Sequence, residues 1–125
     1  MRLYIAVHED VPDHMVPVLV AHTMLGAHNH FNEGYRAGDV PHDHMVSSIA
    51  HQHYRVWYAD SFKKCVVKVN QKEFDKIRIL DDTYLGYENT TMGGQKSCAI
   101  PYPRSNDDLP NVLKFAKLWK PNEYR

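Results

Sequence analysis

Two rhythms of apolar and polar positions run along this chain, and each change of rhythm marks an element. Short runs dense in β-branched and aromatic residues, RLYIAV (2–7) and KCVVKV (64–69), predict buried strands. TYLGYE (83–88) and KSCAIPY (96–102) predict two more, on either side of a Gly93–Gly94 loop. Between the strands the period lengthens. A helix is expected from DHMVP onward, with Asp13 as its cap and Pro17 tolerated in the first turn. Its Val18, Leu19, Met24 and Leu25 leave His22 near the boundary of the apolar face. That helix gives way in HNHFNEGYRAGDVPHD, where Gly, Pro, Asn and Asp signal an irregular connection. MVSSIAHQHYRVWYAD (45–60) predicts a second helix carrying Met45, Ile49, Val56 and Trp57, and QKEFDKIRIL (71–80) a short amphipathic third. SNDDLPNVLKFAKLW predicts a C-terminal helix capped by Asn106 or Asp107, with Leu109, Val112, Leu113, Ala116 and Trp119 as its buried stripe.

The order is β-α-(α)-β-α-β-β-α, an α/β pattern. Alternating strands and helices imply right-handed crossovers and helices on both sheet faces. Ligands of such sheets sit beyond the carboxyl ends of the parallel strands. Here those ends carry His8, Glu9 and Asp10 after the first strand, and Glu88 after the third if it runs parallel.

At 125 residues the chain has the size of one domain, 1–125, with core enough to fold without staples. No apolar stretch approaches the ~20 residues that span a bilayer. MRLYIAVHED holds too short an apolar run for a signal peptide, so a cytoplasmic protein with no membrane partner is expected. Cys65 and Cys98 lie in strand-like runs without a CxxC partner, which reads as two reduced core thiols. Net charge is zero but unevenly spread. Residues 1–60 hold three Lys/Arg against seven Asp/Glu, and residues 61–125 hold twelve against eight. The basic half is a solvated surface or a surface for phosphates.

Nine histidines include the pairs 28/30, 42/44 and 51/53. Two apart on a strand would share a face and chelate a metal. On a helix they diverge, and none of the pairs falls on a predicted strand. Exposed histidines are expected, with no metal and no cofactor.

Four segments in order, YIAVHEDV, VAHTMLGAH, SFKKCVVKV and SCAIPYP, resemble the second, archaeal and eukaryotic type of peptidyl-tRNA hydrolase, its small viral relatives above all. The resemblance implies a three-layer α/β/α fold with a four-stranded mixed sheet. It implies that His22 is the histidine of the family's helix, Asp10 the aspartate closing the first strand, and Glu88 the aspartate of its D-A-G-x-T motif, with Thr90 or Thr91 near that motif's threonine. His8 falls on the family's arginine. The family's lysine at the helix start falls near Met15 or Val16, and its glutamine on Leu19, so two polar groups are replaced. Ester hydrolysis needs a positioned water, a base and donors for the oxyanion. Glu88 and His22 would supply the base, with Thr90, Thr91 and backbone N–H groups as donors and Asp10 beside them.

Three readings follow. As an aminoacyl- or peptidyl-tRNA ester hydrolase, the chain would hold RNA phosphates with Lys63, Lys64, Lys68 and Lys72 and would meet the tRNA with His8 and Glu9. As a catalytically reduced, homo-oligomeric binder, it would sequester a small nucleotide-derived ligand, such as a host immune signal in the host cytoplasm. Tyr54, Trp57 or Tyr58 would then stack on the base. A bare scaffold protein is the third reading.

Overall fold

The computed structural model describes residues 1–33, 46–88 and 92–122. Its strands are β1 (Arg2–His8), β2 (Lys63–Val69), β3 (Thr83–Gly86), β4 (Cys98–Pro101) and β5 (Lys117–Leu118). Its helices are α1 (Val16–Glu33), α2 (Ser48–Ala59), α3 (Gln71–Arg78) and α4 (Asn111–Lys114). All five strands form one mixed sheet in the order β3-β4-β1-β2-β5. β1 and β2 pair in parallel from Arg2↔Lys63 to His8↔Val69, and every other pairing is antiparallel. β3 is antiparallel to β4, which is antiparallel to β1, so β3 points the same way as β1. One end of the sheet therefore gathers the residues after β1, β2 and β3 and those before β4.

Alternation along the strands feeds two apolar clusters. Leu3, Ile5, Val7, Cys98 and Ile100 pack in one with Leu19, Ala27 and Phe31 of α1 and Ala50, Tyr54 and Trp57 of α2. Ala6, Val67, Val69 and Ala99 pack in the other with Phe74 and Ile77 of α3 and Leu113 of α4. The sheet has five strands where four were expected, and the difference lies at the C-terminus. The predicted 106–119 helix is a 3-10 turn, Asn106–Asp108, then the four-residue α4, then β5. Pro110 starts α4 in extended backbone, and the chain leaves helical geometry at Phe115. Leu113 and Trp119 belong to different clusters, which one helical stripe cannot serve.

Other boundaries shift less. A 3-10 turn, Asp13–Met15, precedes α1, and its N-cap position is Pro12 rather than Asp13. α1 continues to Glu33 rather than ending near His28. α2 begins at Ser48, because the Ser47 hydroxyl accepts from the backbone N–H of Ala50. Asn70 and Glu73 form a reciprocal capping box that starts α3. β3 and β4 are shorter than their runs. No helix of the described residues is long and apolar enough to cross a membrane.

Candidate functional site

Two glycines lay α1 along β3. A Cβ on Gly86 would stand 2.1 Å from Thr23 Oγ1, and one on Gly26 would stand 2.1 Å from Tyr84 Oη. Thr23 is buried, with its hydroxyl donating to the Leu19 carbonyl at 2.7 Å. Beside this seam the two elements leave a cavity. His22, exposed on α1, and the half-buried Glu88 line one cavity of about 210 Å³ with Val18 and Tyr87. Two residues singled out in separate segments thus meet. Thr90 and Thr91 lie outside the described residues.

His8 faces elsewhere. It is 3 % exposed at the end of β1, on the side of the sheet that carries α3. Its Nδ1 accepts from the backbone N–H of Asp10 at 3.0 Å. The ring proton therefore sits on Nε2, which donates to Gln71 Oε1 at 2.8 Å. Gln71 in turn donates to Asp75 Oδ1 at 2.8 Å. His8 and Gln71 line a second cavity of about 460 Å³ with Phe74, Arg78, Met92, Gly94, Gln95 and Lys96. Asp10 and Glu9 are exposed and line neither cavity. The Asp10 carboxylate stands 3.9 Å from His8 Nδ1, and the Glu9 backbone N–H donates to the Val69 carbonyl at 2.8 Å.

Of the four lysines expected to hold phosphates, Lys63 and Lys64 lie at the opposite end of the sheet, whereas Lys68 and Lys72 lie near the end of β2 that carries His8's partner Val69. Lys63 and Lys64 open β2, level with Arg2 and Leu3. Lys63 is exposed, and its carbonyl accepts from Trp57 Nε1–H at 2.6 Å. Lys64 lies 3.5 Å over the Phe62 ring and donates to the Phe62 carbonyl at 2.9 Å. Lys68 donates to Asn122 Oδ1 at 2.8 Å and to the Lys120 carbonyl, so it fastens the segment after β5. Lys72 is exposed on α3.

Lys64 borders a groove of about 500 Å³ between α1 and α2, lined also by Ala21, Met24, Leu25, His28, Tyr54, Trp57, Tyr58 and Phe62. Tyr54 and Trp57, expected to stack on a base, are each 1 % exposed and serve as its floor. The accessible rings are Tyr58 and Phe62, at 53 % and 47 %. Burial pushes the Tyr54 phenol up to about 12, with Tyr58 adding to the rise. Phe62 was not singled out, and its φ of 53° is a conformation that a bulky residue rarely adopts.

The histidines are less exposed than expected. His28 shares a hydrogen bond of 2.9 Å with Tyr54 Oη, and His51 one of 2.8 Å with the Phe31 carbonyl. His30 and His53 are half-buried, while His42 and His44 lie outside the described residues. Among the described residues no group of three His, Cys, Asp or Glu is placed to hold a metal ion. Both thiols are free. Burial pushes Cys98 up to about 12 and raises Cys65 as well.

Sequence reasoning also missed Arg78, Gln95 and Lys96. The signal was present on α3, since Gln71, Phe74 and Arg78 recur at helical spacing on one face. No protein-family model matches the chain, and no curated protein matches it.

Proposed function

We propose that the chain is a peptidyl-tRNA hydrolase-like esterase on a three-layer α/β/α fold, with the cavity of His22 and Glu88 as its reaction site. The observation that carries this reading is the shared cavity of those two side chains. In it, Glu88 takes a proton from water, and the water oxygen adds to the ester carbonyl carbon. The bond to the ribose oxygen then breaks, and that oxygen receives the proton. His22 orients the water. The partner is tRNA, and the compartment is the cytoplasm.

The rate is expected to be weak. Val16 and Leu19 are buried in the apolar core and Met15 packs against it, so the positions of the family's lysine and glutamine offer no polar group to substrate. Each such contact is worth about 1–3 kcal/mol.

The test is hydrolysis of an N-acetylated aminoacyl-tRNA. Glu88→Gln is expected to lower kcat about a hundredfold with KM nearly unchanged, the loss typical of a general base. His22→Ala should act in the same direction. A wild-type rate that neither substitution alters, or no hydrolysis at all, overturns the reading.

The groove between α1 and α2 supports a second reading, a homo-oligomeric binder of a small nucleotide-derived ligand. Two accessible rings, Tyr58 and Phe62, stand beside the Lys64 cation there, which suits a base and a phosphate. A small molecule released on denaturing natively purified wild type, and absent from Tyr58→Ala, is the expected result. Its presence in both rejects this second reading.

A further inference from the structure

We propose that the cavity between α3 and the 92–96 segment is a phosphate-binding pocket, with Arg78 and Lys96 as its charged donors. The idea builds on the esterase reading, whose site it adjoins: Lys96 Nζ lies 4.4 Å from the ring of Tyr87, a wall of the His22–Glu88 cavity. Among the described residues, two cations and two amide side chains line this space and no carboxylate does. Neither cation is spent on an ion pair among the described residues. Arg78 lies 5.8 Å from the Phe74 ring and Lys96 over Tyr87, contacts that leave their N–H groups available.

The neutral donors are held ready. His8 cannot serve a ligand directly, since both its nitrogens are engaged. It instead fixes the Gln71 oxygen, and the Gln71 amide nitrogen keeps a second hydrogen beyond the one given to Asp75. The turn Met92–Gly94 has positive φ at all three residues, 47°, 65° and 77°, and it brings the chain round to Gln95 and Lys96. Ser97 follows Lys96 in the chain and does not line the cavity. It is fully buried, and its hydroxyl has no hydrogen-bond partner among the described residues. Strand alternation with Ala99 sets it on the sheet face that carries α3.

A fork of guanidinium donors, a point-charge ammonium and amide donors suit a tetrahedral oxyanion. The phosphate would belong either to an RNA backbone or to a free nucleotide, and the experiment separates the two. Binding of a deacylated tRNA transcript and of adenosine 5′-monophosphate is measured for wild type, Arg78→Gln, Lys96→Gln and the control Lys114→Gln, at an exposed lysine of α4 that does not line the cavity. Both pocket variants are expected to lose about tenfold in affinity or more for at least one probe, while the control keeps wild-type affinity. Loss for the transcript, with the slope of log Kd against log salt reduced by about 1, assigns the pocket to RNA backbone. Loss confined to the mononucleotide assigns it to a free nucleotide. Failure of wild type to bind either probe, or wild-type affinity for both probes in either pocket variant, overturns the proposal. Binding that depends on Arg78 and Lys96 without ester hydrolysis keeps the pocket and rejects the esterase. Hydrolysis that depends on Glu88 but not on these cations does the reverse.

Discussion

The two ends of the sheet use their cations and rings in opposite ways. At the amino end of β2, Lys64 is satisfied by a carbonyl and a ring, and Trp57, Tyr54 and Phe62 interlock, with Tyr54 and Trp57 centroids 5.3 Å apart. At the other end, among the described residues, Arg78 and Lys96 touch rings only, and a buried serine hydroxyl lacks a partner. One end has its polar groups matched internally and contributes to stability. The other leaves polar groups for something else to match. A lysine's place in the sequence does not reveal which role it has; its partners do.

Emptying the aromatic end is the strongest way to break this comparison. Trp57→Ala removes a buried ring and its bond to the Lys63 carbonyl, and urea unfolding should show a loss of about 3–5 kcal/mol. A loss near zero would mean that this end does not hold the fold. Next in size is the seam that sets His22 against Glu88. Gly86→Ala pushes a methyl into Thr23 and should cost about 1–3 kcal/mol. Thr23→Ala in the same chain should restore part of it, a coupling that a double-mutant cycle reads directly.

Tyr54→Phe loses the hydrogen bond with His28, about 1 kcal/mol at neutral pH. Its pH dependence sharpens the point. Tyr54 is raised from 10.0 to about 12, so its contribution is complete below pH 10 and declines as pH climbs toward 12, where the unfolded phenol ionises first. Cys98, raised from 9.0 to about 12, gives the same sign from pH 9 upward. Thermal melts between pH 8 and 11 should therefore fall in wild type and fall less steeply in Tyr54→Phe. The smallest expected effect is the most telling for the other end. Arg78→Gln and Lys96→Gln should change stability by no more than about 0.5 kcal/mol, because neither cation pairs with a carboxylate among the described residues. A loss above about 1 kcal/mol in either would make that end structural too.

The strands β1 and β2 were legible because each is a dense β-branched run with both faces buried. α3 was legible because its amphipathic pattern starts at a capping box. The C-terminal stripe misled because Leu113 and Trp119 satisfy helical spacing while serving opposite faces of the sheet. Periodicity carries no mark of that difference, though Pro110 was a visible stop. In the candidate site, His22 and Glu88 came from a resemblance, and the tertiary seam at Gly86 that joins them has no local signature. Lys63 and Lys64 were grouped with the cleft by charge alone. Strand direction sends them to the far end.

β5 has a consequence for how copies of this chain can meet. Lys117 and Leu118 pair with Lys68 and Val67, and the Trp119 N–H donates to the Val66 carbonyl at 2.9 Å. Without that short cover, a valine-rich strand would present its free backbone groups as a template for a strand of another molecule. With it in place, edge-to-edge strand addition is blocked along Val66–Lys68 of β2. Chains cut before Lys117 are then prone to fibrous aggregation, and any ordered assembly of intact chains that uses this side of the molecule must be built from side-chain surfaces.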